Sequence, residues 1–130
     1  MIGLDTTAII DLFKGDSLLK DVLAVQKESF ATAQLIYLEL LFGIDPNVKA
    51  HQEEKIYYDE FFKSLVVFQL DTTTCVKASE IYWKLKKKGK IIGKFDCVIA
   101  ATLLENGITQ IITRNVKHFQ QIPEMKVITY

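Results

Sequence analysis

Short apolar runs alternate along the chain with stretches of helical spacing, and this alternation constrains the fold more than any other feature of the sequence. Residues 1–4 read as a strand ended by Asp5, after which Ala8, Ile9, Leu12 and Phe13 recur at helical intervals until Gly15. Leu18, Leu19, Val22, Leu23 and Val25 mark a second helix, capped by Asp16 or Ser17, and residues 29–33 a second strand. Residues 34–42 are almost wholly apolar and stop at Gly43, before a break at Asp45, Pro46 and Asn47. A helix with one buried face is predicted over 48–63, a buried strand over 65–70, and a long amphipathic helix from Asp71 to Gly89. Residues 95–106 give a further helix closed by Gly107. Strands at 108–113 and 126–129 follow, with a helical turn after Asn115 and a loop at Pro123 between them. Each crossover must carry the chain back across the sheet, so the expected architecture is α/β: a three-layer sandwich whose central, mostly parallel sheet of about five strands is flanked by helices. With no repeat or linker, residues 1–130 are expected to form one domain.

Sixteen basic residues balance sixteen acidic ones, so no global field draws the chain toward nucleic acid. A local patch would have to do so, and Lys84, Lys86, Lys87, Lys88, Lys90 and Lys94 offer one. The same run also reads as cations favoured at a helix C-terminus. Cys75 and Cys97 match neither a disulfide framework nor zinc-ligand spacing, which favours a reducing, cytoplasmic setting. The opening has no basic leader or cleavage site, and no stretch suggests a membrane span.

Ligands of open α/β sheets sit beyond the carboxyl ends of the strands, so the polar residues there are the candidates. Asp5 follows the first strand, Asp71 the strand read as central, and Asn115 the 108–113 strand; Asp96 opens a helix. Glu39 interrupts Leu35-Ile36-Tyr37-Leu38-Glu39-Leu40-Leu41-Phe42, a helix apolar enough that little of it should face water. A carboxylate there needs a cation as partner, either a metal or an Arg or Lys. Asp5 and Asp96 read equally as helix caps, and Asp71, before Thr72-Thr73-Thr74, as ordinary helix initiation. Three carboxylates sharing a pocket would repel one another unless a divalent cation neutralised them, and all-oxygen ligation suits Mg²⁺ or Mn²⁺. Phosphodiester hydrolysis by a metal-activated water is the chemistry that follows. His51 and His118 are read as surface residues, His118 within possible reach of RNA near the site. Tyr37, Tyr57, Tyr58, Tyr82 and Trp83 are read as core or subunit packing ahead of base stacking.

Four stretches resemble the PIN-domain family, especially its VapC-like toxin ribonucleases: Ile2-Gly3-Leu4-Asp5-Thr6-Thr7; Leu38-Glu39-Leu40 before Gly43; Gly89 to Asp96 running into Val98-Ile99-Ala100-Ala101; and Ile112-Thr113-Arg114-Asn115-Val116-Lys117-His118-Phe119. The resemblance implies that Asp5, Glu39 and Asp96 are the metal-site acids, with Asn115 where many members carry a fourth acid. That amide brings no charge, which puts a second ion in doubt. The resemblance further implies that Thr6 and Thr113 support the acids, that Arg114 contacts phosphate, with Lys94 in the basic run toward RNA, and that Asp71 is a cap. It implies a homodimer neutralised by a VapB-like antitoxin; the aromatic helix around Tyr57, Tyr58, Phe61 and Phe62, which reads as exposed, is expected to form part of such an interface. Two other functions compete: a PIN-like fold kept only for binding, suggested by Asn115, and a Mg²⁺-dependent phosphoacceptor signalling domain with Asp71 as acceptor. The second lacks an acidic neighbour for Asp5, and Thr113-Arg114-Asn115 offers no Lys where one is expected.

Overall fold

Ile2, Gly3 and Leu4 are all buried, although alternate residues of a strand face opposite sides of its sheet. The first strand must therefore be covered above and below, as the alternation of elements requires. The computed structural model describes residues 1–130, and its elements run β1 (Ile2–Leu4), α1 (Thr6–Phe13), α2 (Ser17–Ala24), β2 (Phe30–Ala33), α3 (Gln34–Phe42), α4 (Lys49–Lys63), β3 (Val66–Phe68), α5 (Thr72–Lys87), α6 (Lys94–Glu105), β4 (Gln110–Ile112), α7 (Val116–Phe119) and β5 (Lys126–Ile128). The strands form one sheet in the order β3-β2-β1-β4-β5. Every pairing is parallel, with Gly3 opposite both Ala31 and Ile111.

This order makes β1 the middle strand and places the change of winding direction beside it, the position at which open α/β sheets form their crevice. The core lies around the same strands: Ile2, Leu4, Ala31, Ile99, Leu103, Ile111 and Ile112 are all but inaccessible to water. Each fully buried aliphatic side chain of that kind contributes about 1.5–3 kcal/mol. Gly3 is small because α6 lies against it: a Cβ there would come within 2.5 Å of Leu103 Cδ1. Gly107 ends α6 at φ 76°, in the left-handed region that side chains avoid.

Two expectations fail here. The strand at 65–70 is shorter, forms the edge of the sheet, and leaves Val66 exposed, so it is neither buried nor central. An apolar run of that length reads the same whether one face or two are covered. The aromatics of α4 are also less exposed than expected. Tyr58 is fully buried, and Phe13 of α1 packs its ring 5.0 Å from that of Tyr57 and 5.6 Å from that of Tyr58. They join helix to helix within one chain, which leaves Ile56 as the exposed large apolar residue of that helix.

Candidate functional site

Asp5 leaves β1 in extended backbone and caps α1, its Oδ1 accepting from the Ala8 amide at 3.0 Å and from Thr7 Oγ1 at 2.8 Å. Thr113, the residue after β4, donates its hydroxyl to Oδ2. Asp5 is only 3% exposed, and burial raises its pKa above the ordinary carboxylate range. The hydrogen bonds from Thr113, Ala8 and Thr7 oppose that rise, and the charge of Asp96 adds to it. Asp5 is thus a helix cap, and its buried carboxylate also lies within the field of Asp96.

Glu39 comes from α3 and accepts from Thr6 Oγ1 at 2.9 Å through Oε1. The premise that selected it needs correction: α3 is not enclosed, since Leu38 is 40% and Phe42 72% exposed, and Glu39 is itself half-buried. Its pKa is nevertheless raised, first by burial and then by the charges of Asp96 and Asp5, with Thr6 pulling the other way. Its place beside those two acids is what singles it out, not the apolarity of its helix.

Asp96 is the third residue of α6, whose cap position is Gly93, so the reading of Asp96 as a helix cap is overturned. Its carboxylate lies in the first turn, where the helix dipole favours negative charge. Oδ2 is 3.3 Å from Asn115 Nδ2 and 2.6 Å from His118 Nδ1. Those two nitrogens lie 2.9 Å apart. Both are placed to donate to the one carboxylate oxygen, with the His118 proton on Nδ1. His118 is therefore a neighbour of the acid site and not a bystander on the surface. Its fellow histidine does remain apart: His51 Nδ1 accepts from the Asp45 amide before α4.

Asp5, Glu39 and Asp96 thus reach one another's fields from a strand end and two helices. They are not drawn into a single ligating shell, yet Glu39 Oε2 and Asp96 Oδ1 accept no hydrogen bond from the protein. Oxygen donors left free beside mutually repelling acids are what a hard divalent cation requires. Asp71 stands apart: it caps α5 through the Thr74 amide at 2.8 Å, beyond the edge strand, and that bond first of all holds its pKa down. A phosphoacceptor role for it loses its central strand.

The family model described as PIN domain matches residues 2–125. The chain belongs to the PIN domain family. It is 31% identical to "Ribonuclease VapC1" of Methanocaldococcus jannaschii over 130 residues, which span 99% of this chain and 86% of that protein. It is 24% identical over 95 residues to "tRNA(fMet)-specific endonuclease VapC" of Salmonella typhimurium, covering 73% of this chain and 70% of the other. Among solved structures, VapBC2 from Rickettsia felis, bound to a DNA fragment from its promoter, matches with a TM-score of 0.84 at 22% identity, over 100% of this chain and 99% of that one. At that identity the likeness speaks for the fold.

In this PIN domain the loop after β4 does more than the sequence suggested. Thr113 donates to Asp5, Arg114 Nη1 to Asp11 Oδ1 at 3.2 Å, and Asn115 to Asp96, so three consecutive residues are each tied to a different acid. The Arg114 amide also donates to Thr7 Oγ1 at 3.0 Å. Asp11 escaped sequence reasoning, although it is 3% exposed and accepts from the Tyr130 hydroxyl at 2.6 Å through Oδ2. Burial and Asp11 together push the Tyr130 phenol up. The one available signal for Asp11 was a charge among apolar neighbours in α1. The signal for His118 was its spacing three residues after Asn115, which puts both on one side of the α7 turn. Lys94, expected near RNA, begins α6 and holds its ammonium 5.8 Å from the Tyr82 ring centre. Cys75 and Cys97 are both free thiols. No helix is long and apolar enough to cross a membrane.

Proposed function

We propose that this PIN domain is a metal-dependent endoribonuclease and the toxin half of a VapBC toxin-antitoxin pair. The observation that carries the reading is that Asp5, Glu39 and Asp96 lie within reach of one another's charges while Glu39 Oε2 and Asp96 Oδ1 accept no hydrogen bond from the protein, supported by relatives named as a ribonuclease and an RNA endonuclease. Asp5, Glu39 and Asp96 would hold the ion, Mg²⁺ or Mn²⁺. Bound there, it would supply a water of lowered pKa and positive charge against the negative charge that builds on phosphate during attack.

The chain's own residues do the rest. Thr113, Thr7 and the Ala8 amide fix Asp5, so that a buried carboxylate keeps one orientation. Thr6 fixes Glu39, leaving Oε2 free, and Asn115 with His118 fixes Asp96, leaving Oδ1 free. Such outer partners hold ligands in place, and by donating to Asp5 and Glu39 they favour the charged carboxylates that bind a cation. Arg114 anchors its guanidinium on Asp11 and keeps 63% of its side chain exposed, suited to meet an RNA phosphate. Lys94 adds a cation from the start of α6. A homodimer, a VapB-like antitoxin covering the acid site, and a cytoplasmic setting belong to the same proposal.

Asn115 favours a second reading, a PIN fold that binds without cutting, because the amide adds no charge to the acid set. One experiment separates the two: cleavage of end-labelled single-stranded RNA with Mn²⁺, alongside calorimetric titration of Mn²⁺. The nuclease reading expects cleavage, lost in Glu39→Gln and Asp96→Asn while circular dichroism stays unchanged. Cleavage retained in both folded variants sinks the site, and RNA binding without Mn²⁺ binding or cleavage gives the second reading.

A further inference from the structure

We propose that the hollow between the last turn of α5 and the segment leading into α6 is a subsite for an unpaired nucleobase of single-stranded RNA, stacked on Tyr82 beside the acid site. The inference rests on the ribonuclease reading and names how that site takes its substrate. The hollow has a volume of about 370 Å³ and is lined by Tyr82, Leu85, Lys86, Lys90, Ile91 and Ile92 among others. That falls within the range of small-ligand pockets, about 300–1,000 Å³.

Tyr82 and Lys86 line it, and Trp83 and Lys94 stand beside that lining. Tyr82 and Trp83 set their rings edge to face, with centres 5.4 Å apart, and Trp83 is 52% exposed. Lys86 Nζ lies 4.9 Å from the Trp83 ring centre and 5.6 Å from that of Tyr82, and Lys94 reaches the Tyr82 ring from α6. Ile91, 85% exposed, offers an apolar edge that nothing in the chain covers. Aromatic faces bordered by cations are the combination that takes single-stranded nucleic acid, rings for the bases and ammonium groups for the backbone. Stacking a base on an aromatic ring outweighs an exposed ammonium on it, so Lys86 can give up the ring to a base and turn to phosphate.

Charge selects the occupant. Lys84, Lys86, Lys87, Lys88, Lys90 and Lys94, six of the chain's sixteen basic residues, fall within eleven positions that contain no acid, in a chain of zero net charge. Position relates the hollow to the chemistry. Ile92 lines it, and a Cβ on the next residue, Gly93, would lie 3.6 Å from Asp96 Oδ2. The residue that follows the lining Ile92 therefore lies against Asp96. A duplex hides its bases from such a pocket, which restricts the ligand to unpaired RNA.

Trp83 is the chain's only tryptophan and reports on its neighbour Tyr82. The metal-free full chain is titrated with a short 2′-O-methyl RNA and with an abasic 2′-O-methyl strand of equal length and charge. The base-bearing strand is expected to quench Trp83 and to bind about tenfold more tightly. Tyr82→Leu should remove that preference, Tyr82→Phe should keep it, and Lys86→Ala should weaken both strands alike. Equal affinity of the wild-type chain for the two strands overturns the proposal, a comparison that needs no variant to fold. So does a preference that survives Tyr82→Leu, or RNA binding to which Trp83 stays silent because a second copy of the chain covers it. Preference for bases without any cleavage in Mn²⁺ would sink the nuclease reading and leave the subsite standing.

Discussion

Asp5 and Asp71 each follow a strand, adopt extended backbone at ψ −178° and −179°, and cap a helix by accepting from the amide three residues on. Locally they are the same motif. Asp5 ends the middle strand of the sheet, where burial drives its pKa up; Asp71 lies past the edge strand, in water, where the cap hydrogen bond brings its pKa down. Backbone chemistry thus makes a cap of either residue, and strand order decides which of them carries a charge in a confined crevice. Two helix-capping aspartates therefore differ in burial and charge by their distance from the sheet edge.

The contrast is broken most directly by exchanging each carboxylate for its amide. Asp5→Asn should abolish RNA cleavage while Asp71→Asn retains wild-type turnover, both read in a gel assay with Mn²⁺; comparable loss in the two variants would erase the distinction. Next in size is the effect of metal on stability. Mn²⁺ at a hundred times its Kd should stabilise the wild-type chain by about 2.7 kcal/mol. Urea melts should show that gain in Asp71→Asn and not in Asp5→Asn. Thr113→Val, which strips Asp5 of a buried donor and leaves Asp71 untouched, should weaken Mn²⁺ binding by about 10–100-fold in calorimetry.

The smallest effect is in pH. Asp5 and Glu39 bind protons more readily in the fold than in the unfolded chain, so their own contribution to the stability of the metal-free protein is greatest with both protonated. That contribution should be lost as pH rises from the ordinary carboxylate range through their raised values. Asp71 works the opposite way, its contribution present above its ordinary value and lost on acidification. Urea midpoints between about pH 4 and 7 should therefore fall less in Asp5→Asn than in wild type, and an unchanged slope would count against the burial assigned to Asp5.

The placement of Asp5 after a strand and of Asp96 in the first turn of a helix was legible because each adjoins an apolar run whose spacing marks the element. The parallel sandwich was legible for the same reason, since alternating elements leave few other ways to cover a sheet. Glu39 was found on a premise the structure does not support, because an apolar helix can leave Leu38 and Phe42 in water. β3 was misplaced because an edge strand and a central one share the pattern Leu65-Val66-Val67-Phe68. Asp11 and His118 were missed because their partners, Arg114 and Asp96, are separated from them by 103 and 22 positions. Periodicity sees neighbours within a turn, and such pairs exist only once the strands have been ordered.

The stretch from Thr113 to Arg114 to Asn115 gives the molecule a further property. Three acids, Asp5 at the start of α1, Asp11 within it and Asp96 in α6, are moored to the side chains of three adjoining residues, so none can shift its position without pulling on the mooring of the others. Energetic coupling between distant carboxylates then needs no direct contact: the free-energy effects of altering Asp5, Asp11 and Asp96 should fail to sum, and the shortfall measures the stiffness of that short piece of backbone.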